Sequence, residues 1–89
     1  MRIEYDSEVD VMYVHLRDDS HDVRAAGGVA KVVNVDDELM VDYDADGAAI
    51  GVEILSASQG FSLDGAPERE RIEQELQKLA AVLKSHVAA

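Results

Sequence analysis

Apolar and polar residues alternate with a period of two along much of residues 1–55, and from Pro67 onwards the period lengthens to about 3.6. The change divides the chain into a strand-forming part and a helix-forming part. The clearest alternation runs from Leu39 to Leu55, LMVDYDADGAAIGVEIL, and predicts a β-hairpin with Asp46-Gly47 at its tip. Asp-Gly favours a two-residue type I′ turn, whose central residues both need positive φ. That register sets Tyr43 opposite Ile50, Val41 opposite Val52 and Leu39 opposite Ile54, with all six on one face. A three-residue loop ending at Gly47 sets Asp42 opposite Ile50 and mixes the faces, so the two-residue turn is the expectation.

Three strands are expected before the hairpin. Arg2 to Tyr5 places Ile3 and Tyr5 on one face, and Asp6-Ser7-Glu8 is turn-like because Asp and Ser bond nearby backbone groups. Val11 to Arg17 places Met12, Val14 and Leu16 on one face and Val11, Tyr13 and His15 on the other. Both faces are partly apolar, which suggests a helix over one and a second subunit against the other. Asp18 to Gly28 reads as a loop, Val29 to Val35 as the third strand, and residues 35–38 as the next turn. Consecutive strands with short connections usually pair. The fold expected is therefore α+β: an antiparallel β-meander of about five strands followed by one C-terminal amphipathic helix packed on the sheet. Residues 1–58 form the sheet, 59–66 a connector, and 67–89 the helix, within a single domain. Phe61 or Leu63 is expected to pin the connector to the core. Pro67 suits a first helical turn, Glu68 and Glu70 suit the helix start, and Lys78 and Lys84 its end. Ile72, Leu76, Leu79, Leu83 and Val87, helped by Ala80, form one apolar stripe. It serves for packing on the chain's own sheet or as a seam against a partner helix, and two heptads are too few to specify a coiled coil.

Charge narrows the function classes. Eight basic and nineteen acidic residues among 89 give a net charge of −11. Residues 1–56 hold 14 acids and 4 bases, and residues 57–89 hold 5 acids and 4 bases, so the parts carry −10 and −1. Phosphate binding runs on Lys and Arg, so this balance excludes nucleic acid and an anionic membrane surface as expected partners. It leaves solubility, a cation or a basic protein. No cysteine is present, so disulfide and thiolate chemistry are excluded. The charged start, MRIEYDSEVD, has no apolar signal-peptide core, and no apolar run approaches a membrane span; a cytoplasmic location is expected.

Asp42, Asp44, Asp46, Gly47 and Glu53 fit the calcium-loop pattern D-x-D-x-D-G-x5-E at every position. Several carboxylate oxygens, a glycine for the bend and a closing glutamate suit a hard cation. An EF-hand loop lies between helices, however, and here both flanks alternate like strands. Asp42, Asp44, Asp46 and Glu53 remain candidates only for a weak divalent-cation site on the acidic hairpin. His15, His21 and His86 have no ligand spacing; His15 is expected at a surface or interface and His86 in solvent. Ser7, Ser20, Ser56, Ser58, Ser62 and Ser85 lack a nucleophile-elbow setting. Gly27-Gly28 lacks the lysine and the following helix of a phosphate loop. No catalytic residues and no cofactor are assigned, and an enzyme is the least favoured class.

Two blocks carry a resemblance. YDSEVDVMYVHL, from Tyr5 to Leu16, resembles the pattern Y-D-x-E-x-D-x-x-Y-V/I, and VDYDADGAAIGVEILSAS, from Val41 to Ser58, resembles D-Y-D-x-D-G-x-x-x-G-x-E-I-L-x-A-S. Both belong to the small bacterial family called domain of unknown function 2283. The resemblance implies a compact strand-rich domain and no activity. Its acidic positions fall on Asp6, Glu8, Asp10, Asp42, Asp44, Asp46 and Glu53. The stretch from Asp18 to Glu38 is longer than the family leads one to expect, and the terminal helix lies outside the pattern. The expectation is a non-enzymatic interaction module: an antitoxin-like partner of a basic protein, and a homodimer.

Overall fold

The computed structural model describes residues 1–17 and 28–88, and their side chains up to Ala80. The loop expected at Asp18 to Gly28, with His21, falls almost wholly outside the described residues, and His86 lies where only backbone is described. Five strands, β1 (Arg2–Asp6), β2 (Val11–His15), β3 (Lys31–Asp36), β4 (Leu39–Tyr43) and β5 (Ala49–Leu55), precede a 3₁₀ turn (Ala57–Gln59) and one helix, α1 (Arg69–Ala88). The strands form one antiparallel sheet in the order β1-β2-β5-β4-β3. The chain is thus α+β, as its two periods predict. Three of the four successive strand pairs are neighbours, whereas β2 lies against β5 and β3 is carried to the far edge.

Alternation sorts the strands onto two faces. Val14 and Leu16, Leu39 and Val41, and Val52 and Ile54 point one way, and Ala57, Leu63 and Ile72 close over them as the core. Leu63, not Phe61, pins the connector: Leu63 is buried and Phe61 is 37% exposed. Residues 67 and 68 precede the helix, because Glu68 takes a left-handed φ of 53°, so α1 begins at Arg69 rather than Pro67. Along the stripe, Ile72 is fully buried, Leu76 half-buried against the core and Leu79 44% exposed. The helix is anchored to the core by its first two turns, through Ile72 and Leu76.

The hairpin corrects the turn expected. Leu39 faces Ile54 and Val41 faces Val52, but Tyr43 faces Ala49, not Ile50. The Gly47 N–H donates to the Asp44 carbonyl at 3.0 Å, and the Asp44 N–H donates to the Ala48 carbonyl at 2.9 Å. Gly47 has φ +83°, while Asp46 does not have positive φ. The loop is therefore the three-residue kind, Ala45 to Gly47, with a type I turn followed by a left-handed glycine. The Asp44 carboxylate braces it, accepting the Asp46 and Ala48 N–H groups at 2.9 Å each. A register shift next to Asp42 and Tyr43 absorbs the odd residue at Ile50, and the faces are in phase again by Asp42 and Gly51. Ile50 is buried but outside the main core cluster.

Candidate functional site

The face turned away from the core is occupied by this chain itself. Tyr13 on β2 extends over β5 and donates its hydroxyl to Asp42 Oδ2 on β4 at 2.7 Å. The path crosses Gly51, where a Cβ would stand 1.8 Å from the Tyr13 hydroxyl oxygen. Only a residue without a side chain lets the ring lie there. Tyr13 is 7% and Asp42 6% exposed, so the bridge is sealed from water. The His15 ring packs edge-on to Tyr13 with centroids 4.7 Å apart. His15 Nε2 lies 3.3 Å from both Glu4 Oε1 and Arg2 Nη2. The apolar surplus expected to meet a second subunit at Tyr13 and His15 is thus spent within the sheet.

The acidic residues of the strand region separate into different tasks. Asp6 Oδ1 accepts the Glu8 N–H at 2.9 Å, and Asp36 Oδ1 accepts the Glu38 N–H at 2.7 Å. Asp10, at a left-handed φ of 55°, joins the first hairpin to the 3₁₀ turn. Its Oδ1 accepts the Tyr5 hydroxyl at 2.7 Å and the Ser58 N–H at 2.9 Å, and its Oδ2 accepts the Ser58 hydroxyl at 2.7 Å. The Tyr5 hydroxyl, then Ser58, hold the Asp10 carboxyl below the usual range, and the hydrogen bond to Asp10 raises the Tyr5 phenol.

Of the four cation candidates, Asp42 is turned to Tyr13, Asp44 braces its own turn and lies 3.5 Å from Arg17 Nη1, Asp46 is exposed at the loop tip, and Glu53 pairs across from Tyr13 and Met40. Strands, not helices, enter and leave this corner. Among the described residues no three His, Cys, Asp or Glu side chains are grouped to hold a metal ion. Among the described residues, too, no helix is long and apolar enough to cross a membrane.

What the sheet does assemble is a charged end. In an antiparallel sheet the end of β1, the start of β2, the end of β3, the start of β4 and the end of β5 share one edge. That edge carries Asp6, Glu8, Asp10, Asp36, Asp37 and Glu38. The described Lys and Arg residues of the strand region, Arg2, Arg17 and Lys31, all lie at the other end, about 17–20 Å away along the strands. Val9, 63% exposed, and the partly exposed Val35 interleave the acids, and a hollow of about 330 Å³ between the β3–β4 turn and the connector is bounded by Asp36, Glu38, Leu39, Gly60 and Phe61. Charge counts along the sequence show that the strand region is acidic. They do not show that six of the acids share one end with no described Lys or Arg of the strand region, because that follows from which strand ends meet; Asp44 and Asp46 lie at the other end with Arg17 and Lys31.

No curated protein and no solved structure matches the chain. The family described as protein of unknown function (DUF2283) matches residues 2–58, the span that holds the Tyr13–Gly51–Asp42 bridge and the Asp10 clasp. That is well over half the sequence, and the chain belongs to this family.

Proposed function

We propose that the chain is a non-enzymatic interaction module that binds a basic protein through the acidic end of its sheet, as an antitoxin-like subunit does. The observation that carries this reading is the gathering of six carboxylates at one end of the sheet, where no described Lys or Arg of the strand region lies. Six carboxylates along one edge, with the strand-region cations described at the far end, give the molecule a direction for an approaching basic surface. Complementary fields of this kind chiefly raise encounter rates and set partner choice. The exposed Val9, Val35 and Phe61 add apolar contact among the acids, and an aromatic ring beside carboxylates suits an Arg or Lys side chain. Asp6 and Asp36 each spend one oxygen on a turn N–H and retain acceptor capacity for a guanidinium or ammonium group.

The test is capture from a native cell extract at several salt concentrations. The expected result is one dominant partner of net positive charge, released as salt rises. Capture is lost with Asp36→Asn, Asp37→Asn and Glu38→Gln combined, and the turn survives because the amide oxygen introduced at position 36 still accepts the turn N–H. Capture is retained when the same number of charges is removed at mid-sheet and at the hairpin tip, with Glu4→Gln, Glu53→Gln and Asp46→Asn. Absence of a basic partner at every salt concentration, or equal loss in both variants, refutes the reading.

A further inference from the structure

We infer that the outer edge of β1 is a self-association surface, on which β1 of a second copy pairs antiparallel about a two-fold axis at Glu4 and joins two sheets into one. β1 is an outer strand of the sheet. Its outward groups follow from the phase of the hydrogen bonds. The Leu16 N–H donates to the Ile50 carbonyl, so Met12, Val14 and Leu16 turn their backbone groups to β5, and Val11, Tyr13 and His15 turn theirs to β1. Asp6, Glu4 and Arg2 face those three residues, which leaves the N–H and C=O groups of Ile3 and Tyr5 pointing away from the sheet. Among the described residues no backbone group bonds to them. Tyr5, beside this edge, is 50% exposed. An unpaired strand edge is a template for another strand unless it is blunted. β3, the opposite edge, is blunted by the register shift between Asn34 and Asp36 and by Lys31, whereas β1 keeps a regular register with β2 over all 5 residues.

The second observation is that the strand complements itself. With Glu4 on the axis, Ile3 lies opposite Tyr5 of the second copy and Arg2 lies opposite Asp6, twice each by symmetry. Self-complementarity is what a two-fold interface requires. Ile3 and Tyr5 are then the hydrogen-bonded pair and exchange both N–H···O bonds, as their outward groups demand. Ile3 already packs against the core cluster, so Tyr5 of the second copy extends that core across the joint. On the other face, Asp6 spends Oδ1 on the Glu8 N–H and keeps Oδ2 for Arg2 of the second copy. The like charges at the axis are offset within each copy, where Glu4 Oε1 lies 3.2 Å from Arg2 Nη2 and 3.3 Å from His15 Nε2. A shift of register towards either end leaves part of each strand unpaired.

Charge selects a second copy as the occupant. The two-fold axis runs the two sheets in opposite directions, so the Asp6 end of one β1–β2 hairpin lies beside the Arg2 and Arg17 end of the other. Asp36, Asp37 and Glu38 belong to the β3–β4 side of each sheet, where distance and salt screen them from the second copy. β1 carries charges of both signs, which suits its own antiparallel copy better than a uniformly basic strand. The second copy thus sits beside the sheet and not on the face of Tyr13 and His15. The inference is separate from the acidic-end reading, because Asp36, Asp37 and Glu38 stay open in this dimer, and either can fail alone.

Sedimentation of the full chain between about 10 and 500 µM tests it, with no other protein present. The expected species has twice the 9.7 kDa chain mass. As the dimer forms, amide exchange slows at Ile3 and Tyr5, whose N–H groups become bonded, and is unchanged at Glu4, which already bonds to β2. Arg2→Glu sets like charges against Asp6 and weakens the dimer by about tenfold, with unchanged strand circular dichroism because Arg2 is exposed. Asp6→Arg weakens it likewise, and the two together restore it. Since the chain has no cysteine, single cysteines report the register. Under oxidised glutathione Glu4→Cys gives a covalent dimer, because Cα atoms of a directly opposed, non-hydrogen-bonded pair stand about 4.5 Å apart. Val32→Cys, on the opposite edge strand, does not. A monomer at the highest concentration, unchanged exchange at Ile3 and Tyr5 in the dimer, a dimer indifferent to Arg2→Glu, failure of the charge swap to restore, or cross-linking at position 32 in preference to 4 overturns the inference.

Discussion

Gly51→Ala tests the bridge across the sheet. A Cβ at this position would stand 1.8 Å from the Tyr13 hydroxyl oxygen and 2.4 Å from the ring carbon that bears it. No adjustment of tenths of an ångström accommodates that, so the ring has to lift off β5. Lifting it breaks the 2.7 Å hydrogen bond to Asp42, a side chain only 6% exposed. A hydrogen bond to a carboxylate is worth about 1.5–3 kcal/mol, and re-exposing half an aromatic ring costs about 2 kcal/mol more. Alanine in a strand returns about 0.5–1 kcal/mol over glycine. The net expectation is a loss of about 2.5–4.5 kcal/mol, which at a urea slope of about 1 kcal/mol/M lowers the midpoint by about 2.5–4.5 M. The decisive measurement is the double-mutant cycle with Tyr13→Val, followed by urea unfolding. Once the ring is gone, Gly51→Ala is neutral or slightly stabilising, so the two changes are coupled by nearly the whole cost of the first. Coupling below about 0.5 kcal/mol means that the ring does not depend on the bare backbone at residue 51, and the account of this face is then wrong.

Asp10→Asn and Gly47→Ala probe the other two constraints. A carboxyl held below its unfolded value binds fewer protons in the folded state. The contribution of Asp10 is therefore complete above the ordinary carboxylate range and disappears as pH falls through the lowered folded value. The stability gap between the native chain and Asp10→Asn is expected to be constant above about pH 5 and to narrow below about pH 4 in urea titrations; a gap that widens in acid contradicts the clasp. Gly47→Ala introduces a Cβ into open space at φ +83°, so only the backbone term applies and the expected loss is about 1 kcal/mol by thermal or urea melting. A cost above that of Gly51→Ala reverses the ranking that steric contact predicts.

The sequence makes most of this fold legible, and its hairpin shows where legibility stops. Alternation correctly pairs Leu39 with Ile54 and Val41 with Val52, because a buried face penalises every other register. The same alternation is blind to the turn. An odd loop of three residues and one extra residue at Ile50 cancel in parity, so the core pairs look the same as with a two-residue turn. The local signal that distinguishes the two is Asp44, three residues before Gly47: an aspartate that opens a type I turn and accepts its N–H groups. The Tyr13 bridge has no local signal. Val11, Tyr13 and His15 read as a surplus apolar face until β2 is known to lie beside β5, since only that neighbour brings Gly51 beneath Tyr13 and Asp42 within reach. The gathering of acids at one end is hidden for the same reason, because strand order and direction decide which turns share an edge.

An acidic chain of this size has to place its carboxylates where they do not unfold it, and the structure shows two solutions. Asp44, Asp10 and Asp42 are bound to N–H or O–H donors that tie distant segments or close a loop, so their presence adds to the fold. Glu8, Asp37 and Glu38 sit on turns at one edge, and no described Lys or Arg forms an ion pair with them. Five strands spaced about 4.8 Å apart make that edge about 19 Å wide, so neighbouring acids fall within a Debye length or two at physiological salt and repel one another. The free chain is destabilised by that repulsion, while the sheet beneath is held by the core and the bridges rather than by those charges. A cationic partner that docks on the edge removes the repulsion as it binds. Its affinity then contains a stabilisation term that no single contact supplies, which is why the gathering of acids at one end, more than any individual carboxylate, carries the functional reading.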